Sequence, residues 1–437
     1  MESENIKFRG AIISKDEFTA LKDIERIRNP YIKEEKEFKV MNEIDEDSRL
    51  AFTVSNNHIK ELVARYGIIQ KRKKLSPNIG NFKFLERLNL SENWIDSLPT
   101  TIGNLISLKT LDLHSNFLKY VPESIGNLNS LKRLDLYGND IEQLPESLGA
   151  LKSLEYLKLT SNELKYLPDR IGDLKLLEVL KVDGNRLTHL PESIGSLESL
   201  KKLDLTFNYL KKIPDSIGNL KSLVKLLVSN NHWRLTSIPK TINNLTSLEH
   251  LDLRWNKFSE LPSSLSYLPS LKYLNLDNCG LKELPKNIEN LKSLKHLIIS
   301  GNRLETLPDS LFNLPSLEIL NLKGNLLKNI PDSIGRLHFL KELDLSFNKL
   351  TALPHSITRL PSLQVLNIEL NQILDYQDWI HKMPKVKIIC SNKSYYDSLL
   401  DNPDPDEVCP YCGSGNWDTD GISYWSCPDC GAHFTKG

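Results

Sequence analysis

The sequence predicts an α/β solenoid, a curved, horseshoe-like stack of coils with a parallel β-sheet on its concave face, followed by a small β ribbon. Three observations predict it. Leucines recur in fixed phase every 23 residues, an asparagine follows them at one slot of nearly every period, and two Cys-x-x-Cys pairs stand after residue 408. At 437 residues the chain exceeds what one compact core supports, but a solenoid grows in one dimension and escapes that bound.

One period reads LKTLDLHSNFLKYVPESIGNLNS (108–130), the next LKRLDLYGNDIEQLPESLGALKS. Its first leucine steps from Leu85 through Leu108 and Leu131 to Leu223, then from Leu248 to Leu363. The one odd step, Leu223 to Leu248, is 25 residues, with the surplus in NNHWRLTS (230–237). The opening LxxLxL alternates with period two, which marks a short strand with its leucines inward. The asparagine that follows, from Asn93 and Asn116 on to Asn371, ends the strand. Its carboxamide can satisfy backbone groups of its own turn and of the neighbouring coil. Cys279 takes that slot in one unit. An LP dipeptide and a segment such as SIGNL complete the coil, where Pro and Gly limit the chain to a turn or a short helical or extended piece. A single unit cannot bury its leucines; stacking buries them in a shared core.

This pattern resembles the leucine-rich-repeat superfamily over roughly residues 59–390, and its LPxSIGxL half resembles the Ras-group subclass of plant intracellular and animal Ras-pathway scaffolds. The resemblance implies a leucine-rich-repeat solenoid of about 14 repeats. It also implies a protein-interaction scaffold, with small GTPases or phosphatases as partner classes.

Each end is expected to be closed. Ser14-x-x-Glu17 fits a capping box, and Leu21, Ile24 and Ile27 give the helix after it an apolar stripe. Residues 51–62 read as a hairpin turning at Asn56-Asn57, whose second arm opens the first repeat, Ile59-x-x-Leu62-x-Ala64. Residues 1–58 are therefore expected to cap the first coil, which would otherwise expose apolar surface and a strand edge. MPKVKIIC (383–390) reads as a last strand, and composition shifts at the Pro/Asp-rich 401–407. The expected domains are the cap (1–58), the solenoid with its C-terminal cap (59–400) and the ribbon (401–437).

The ribbon carries Cys409, Cys412, Cys427 and Cys430 in two CPxCG knuckles, with 14 residues between Cys412 and Cys427. The glycines let backbone amides turn toward sulfur, and the spacer suits a hairpin that returns the second knuckle to the first. Four thiolates make a closed tetrahedral site for one structural Zn²⁺, with no open position for water. Trp417, Tyr424, Trp425 and Phe434 are too small a core to fold without such a staple. The segment resembles zinc ribbons and, more distantly, rubredoxin, which uses the same knuckles for iron with a longer spacer. His433 reads as an ordinary surface side chain.

Net charge is zero but uneven: −3 over residues 1–49, −6 over 401–437 and +9 between them. The first residues hold no apolar signal core, and no stretch approaches the ~18 apolar residues of a membrane span. With cysteines in a metal pattern rather than a disulfide framework, a cytoplasmic protein with no membrane partner is expected. No GxxxxGK[ST], GxSxG or HExxH occurs, so no enzyme is expected. A nucleic-acid-associated or transcription-related adaptor acting through the ribbon is a second reading. Charge opposes it, since phosphate contacts need Lys or Arg and the tail sets Lys436 against seven acids. A ubiquitin-ligase-like adaptor is a third, opposed because a RING binds two zinc ions and needs more ligands than the tail offers.

Slots three, five, seven and eight of each unit are expected on the concave face. There, Arg254, Trp255 and Tyr273 read as neighbours on adjoining strands about 4.8 Å apart. His250, Asp252 and His296 surround them, and His232, Trp233 and Arg234 of the irregular coil stand beside them. Arg133, Tyr137 and Tyr156 make a second group. Aromatic and Arg side chains carry most interface energy, so these residues are the candidate protein-binding site. The competing expectation is a merely solvated Asp column (Asp112, Asp135, Asp204, Asp252, Asp344), with Phe207 and Phe347 packing along the turn edge.

Overall fold

The computed structural model describes residues 5–29, 38–45, 47–69, 74–258, 260–373, 383, 385–390, 418–419, 424–426 and 433–435. The chain divides into two compact units, Met1–His232 and Trp233–Gly437, and the division falls inside the 25-residue step.

The first unit opens with a hairpin of β1 (Asn5–Phe8) and β2 (Ala11–Ser14), then helix α1 (Lys15–Arg26). The capping box is present: the Glu17 N–H donates to Ser14 Oγ (3.3 Å) and the Ser14 N–H to Glu17 Oε2 (3.2 Å). The other oxygen of this buried carboxylate accepts the Ile59 N–H at 3.0 Å, so one side chain both closes the helix and anchors the first coil. After β3 (Lys39–Val40), β4 (Leu50–Ser55) and β5 (His58–Ala64) form the expected hairpin. Asn56 and Asn57 both turn with positive φ, 53° and 61°, the mirror-image turn that matches strand twist. Phe8, Phe38 and Phe52 fill the cap core, with Phe38 edge-on to Phe52 at 6.0 Å. Asp23 on α1 accepts from Ser76 Oγ (2.6 Å) and Asn78 Nδ2 (2.7 Å), and the Ser76 bond holds its carboxyl below the usual value.

β5 runs parallel to the strand Arg87–Asn89, with Leu62 opposite Leu88. From there each coil of the first unit adds one three-residue parallel strand, in register at Leu88, Leu111, Leu134, Leu157, Leu180, Leu203 and Leu226. The second unit repeats the arrangement from His250–Asp252 to Lys387–Ile389, the latter lying in MPKVKIIC. The repeat leucines are buried, and the LPxSIGxL segments form 3-10 helices such as Glu123–Asn127, started by Pro122 at φ −67°.

Two devices set the coil spacing. The asparagines form a ladder. Asn162 Nδ2 donates to Leu159 O of its own coil (3.0 Å) and Leu136 O of the coil before (2.9 Å), while its Oδ1 accepts the Ile141 N–H at 3.1 Å. On the convex side, a Cβ on Gly126 would lie 2.5 Å from Ser147 O and 2.8 Å from Ser147 Cβ. Only glycine allows that approach. Along the strand edge, Glu86 joins Lys60 to Lys109, and Glu318 joins Lys295 to Lys341; these bonds pull the Glu318 carboxyl down to about 2.

Cys279 departs from the ladder in an instructive way. Its thiol donates to Leu253 O at 3.2 Å, as an amide would, but it has no carboxamide oxygen for the preceding coil. The Phe258 N–H turns to the Cys279 carbonyl instead (3.0 Å), beside Gly280 at φ +74°. Burial pushes this thiol up to about 12. We therefore expect Cys279 to resist thiol reagents at pH 8 in native protein and to react once urea unfolds the coils, read by mass spectrometry of the alkylated peptide. Native labelling at the rate of a free thiol would contradict this placement.

Near the C-terminus, Asp418–Thr419, Tyr424–Ser426 and His433–Thr435 make a three-stranded antiparallel sheet, with Asp418 opposite Ser426 and Ser426 opposite His433.

Candidate protein-binding surface

The turn after each strand follows one chemistry. The slot-five side chain, Asp or Asn in many coils, accepts the N–H of slot seven: Asp112 from His114 (3.1 Å), Asp135 from Tyr137 (3.1 Å), Asp252 from Arg254 (3.2 Å), Asn275 from Asp277 (2.9 Å). The Asp column is therefore not simply a solvated face, because it closes the turn locally. At slot eight the N–H donates to the next coil, as in Ser115 to Tyr137 O (2.7 Å) and Trp255 to Asp277 O (2.9 Å). The residue there takes positive φ, whether Gly138 (65°), Ser161 (54°), Phe207 (54°) or Trp255 (58°).

In the first unit the predicted group assembles. The Arg133 guanidinium lies 3.7 Å from the Tyr156 ring centre, and Lys158 Nζ lies 4.3 Å from that of Tyr137. Nearly buried Asp135 sits between the two cations, 3.3 Å from Arg133 and 3.8 Å from Lys158. His114 adjoins Tyr137 with ring centres 6.3 Å apart, and its 2.7 Å bond to Asp112 raises the imidazole above its usual value. His114 and Lys158, which the repeat phase places in the same strand-face columns, join the tyrosines and Arg133 on this surface.

In the second unit the predicted cluster separates into two. His250 stacks flat on Tyr273 (4.1 Å, 2°), and Tyr273 meets His296 edge-on (6.0 Å, 75°), while its hydroxyl accepts from Asn275 Nδ2 at 3.2 Å. Trp255 instead meets Trp233 edge-on at 6.1 Å and 76°. Arg254 Nε lies 3.3 Å from nearly buried Asp252. Register explains the split: Tyr273 lies directly opposite His250, whereas Trp255 stands beyond the strand on the left-handed turn. Cys409, Cys412, Cys427 and Cys430 lie outside the described residues.

A leucine-rich-repeat region model matches residues 38–140, 100–184, 146–233 and 180–266, and further leucine-rich-repeat models match 285–327, 270–291 and 339–360. The chain belongs to the leucine-rich-repeat family. It is 33% identical to Leptospira interrogans LRR protein LIC12759, with TM-score 0.70, over 88% of this chain and 96% of that one. It is 32% identical to the solved PEPR1–AtPEP1 structure (TM-score 0.65), over 78% of this chain and 50% of that one, so it spans half of that chain's length. Plant peptide hormone receptor RGFR1, solved in complex with RGF2, is 26% identical (TM-score 0.56; 79% and 59% covered). No curated protein matches. Leucine-rich-repeat proteins bind other proteins. Among the described residues of this leucine-rich-repeat chain, no helix is long and apolar enough to cross a membrane.

Proposed function

We propose that this chain is a non-catalytic protein-interaction scaffold that takes its partner on the strand face of the coils. The observation that carries it is a pre-set group of rings and cations in each unit: Arg133 over Tyr156 and Lys158 over Tyr137 in the first, and His250, Tyr273 and His296 in a row in the second. Side chains already held by their neighbours lose little freedom when a partner docks, and these types dominate interface energy. RGFR1, a peptide hormone receptor solved with RGF2, supports a polypeptide ligand. The LPxSIGxL pattern adds small GTPases and phosphatases as the first classes to try, and the cysteine pattern supports a cytoplasmic setting. Affinity capture with wild type and a Trp255→Ala, Tyr273→Ala double variant tests the reading. Captured partners should fall at least about tenfold while circular dichroism stays unchanged. Equal capture by both proteins moves the site elsewhere.

The tail reading is a structural zinc site of Cys409, Cys412, Cys427 and Cys430. Strand register supports it. Asp418, Ser426 and His433 align across the sheet, and in sequence the first cysteine pair precedes Asp418 while the second lies between Ser426 and His433. Bound zinc supplies folding energy to a segment with little apolar core. Metal analysis of purified protein should find one zinc per chain, lost in Cys412→Ser with the coils' circular dichroism retained. Iron, or no metal, overturns this assignment.

A further inference from the structure

We propose that His114 and Glu92 form a proton-operated bridge between neighbouring coils of the first unit. The inference stands apart from the protein-binding reading, although His114 borders that surface.

Sequence alone marks the pair as exceptions. From Leu85 to Leu363, Glu92 is the one carboxylate at slot eight and His114 the one imidazole at slot seven. Glu92 takes the left-handed turn of its slot at φ 54°, and its N–H donates to the His114 carbonyl at 2.8 Å, a coil-to-coil bond that recurs along the stack. Here the side chains join as well. His114 Nε2 lies 3.5 Å from Glu92 Oε1, and Nδ1 lies 2.7 Å from Asp112 Oδ1 of its own coil. One ring therefore faces a carboxylate at each nitrogen, one on either side of the coil boundary.

Protonation decides whether both contacts hold. An imidazolium donates from both nitrogens at once, whereas a neutral ring has a single N–H. Asp112 has the shorter bond and also accepts the His114 backbone N–H at 3.1 Å, so the neutral ring keeps Asp112 and turns a lone pair toward Glu92. The Glu92 side chain is 39% exposed and can swing into water. Loss of one proton thus opens the side-chain link and leaves the backbone bond in place.

The surroundings favour the charged ring. The Asp112 bond raises the imidazole above its ordinary 6.5 against partial burial, and Asp135 and Glu92 raise it further. The flanking coils set Ser91 and Tyr137 at the same slot as His114. Asp135 in the following coil lies between two cations, Arg133 and Lys158, and Arg133 also acts on Asp112. Register puts Arg87 of the preceding coil opposite Thr110 rather than His114. A value raised on folding gives stability that is complete below the unfolded value and drains away as pH climbs through the folded one.

Urea titration of the full chain, of His114→Gln and of Glu92→Gln, at about pH 6 and about pH 9, tests the bridge. The wild-type midpoint should exceed both variants' at the lower pH and lose that advantage at the higher. The remaining titratable groups are common to wild type and variants and cancel in the difference. Histidine ring NMR should show one titration midpoint above 6.5 in wild type, absent from His114→Gln and lowered in Glu92→Gln. A midpoint at or below 6.5, a midpoint unmoved by Glu92→Gln, or an equal advantage at both pH values overturns the bridge. Should His114→Gln fail to fold, wild type and Glu92→Gln decide the matter by the same two measurements.

Discussion

Asn162→Ala will destabilise the coils by about 3 kcal/mol. The side chain serves three buried backbone groups, Leu159 O, Leu136 O and the Ile141 N–H, at 3.0, 2.9 and 3.1 Å. Alanine leaves the Ile141 N–H without a partner and takes one of two donors from each carbonyl, since Asn185 Nδ2 still reaches Leu159 O (2.9 Å) and Asn139 Nδ2 still reaches Leu136 O (3.1 Å). A buried orphan costs about 1–3 kcal/mol, and the weakened carbonyls add to it. Because one of the carbonyls and the N–H belong to the preceding coil, the loss falls on the interface between coils, where a solenoid's cooperativity resides. Urea titration checks the value, with an unchanged m-value showing that the native fold persists. A loss below about 1 kcal/mol would mean that the carboxamide is replaceable there.

Gly126→Ala is the second large effect. The added methyl would meet the Ser147 carbonyl at 2.5 Å, and backbone of the next coil cannot rotate away as a side chain can. Separating the coils to make room loosens leucine packing on both sides, so we expect about 2–3 kcal/mol. Gly138→Ala is the control. That glycine is left-handed at φ 65° but has open surroundings, with Ser115 Oγ nearest at 3.5 Å, and should cost only about 1 kcal/mol. Equal losses at the two positions would show that close approach is not what selects glycine in SIG.

Much of this was legible in sequence because it repeats. The 23-residue phase places the strands, Ser14-x-x-Glu17 the helix start, and Asn56-Asn57 the hairpin turn. The convex glycines read as turn formers, but the structure gives them another task, since Gly126 is defined by what lies in the next coil rather than by its own φ. The same limit hid Glu17's bond to Ile59 across 42 residues and the Cys279 carbonyl standing in for an asparagine amide. β1, β2 and β3 are too short and mixed in pattern to announce themselves. At the candidate site, slot number identifies which strand a residue occupies. It does not show which ring it meets: Tyr273 pairs with histidines at its own slot, and Trp255 with a residue of the irregular coil.

The asparagine ladder also has a direction. Asn93 reaches back to Ala64 O and Ile69 N–H, Asn116 to Leu90 O and Ile95 N–H, and Asn371 to Leu345 O and Leu350 N–H. Each coil is thus fastened by its successor. On a ribosome, where the N-terminal part emerges first, every newly exposed coil waits unlatched until another 23 residues arrive to clasp it. The nascent stack therefore always carries a single unfinished coil at its growing edge, and maturation advances with translation, one clasp per period.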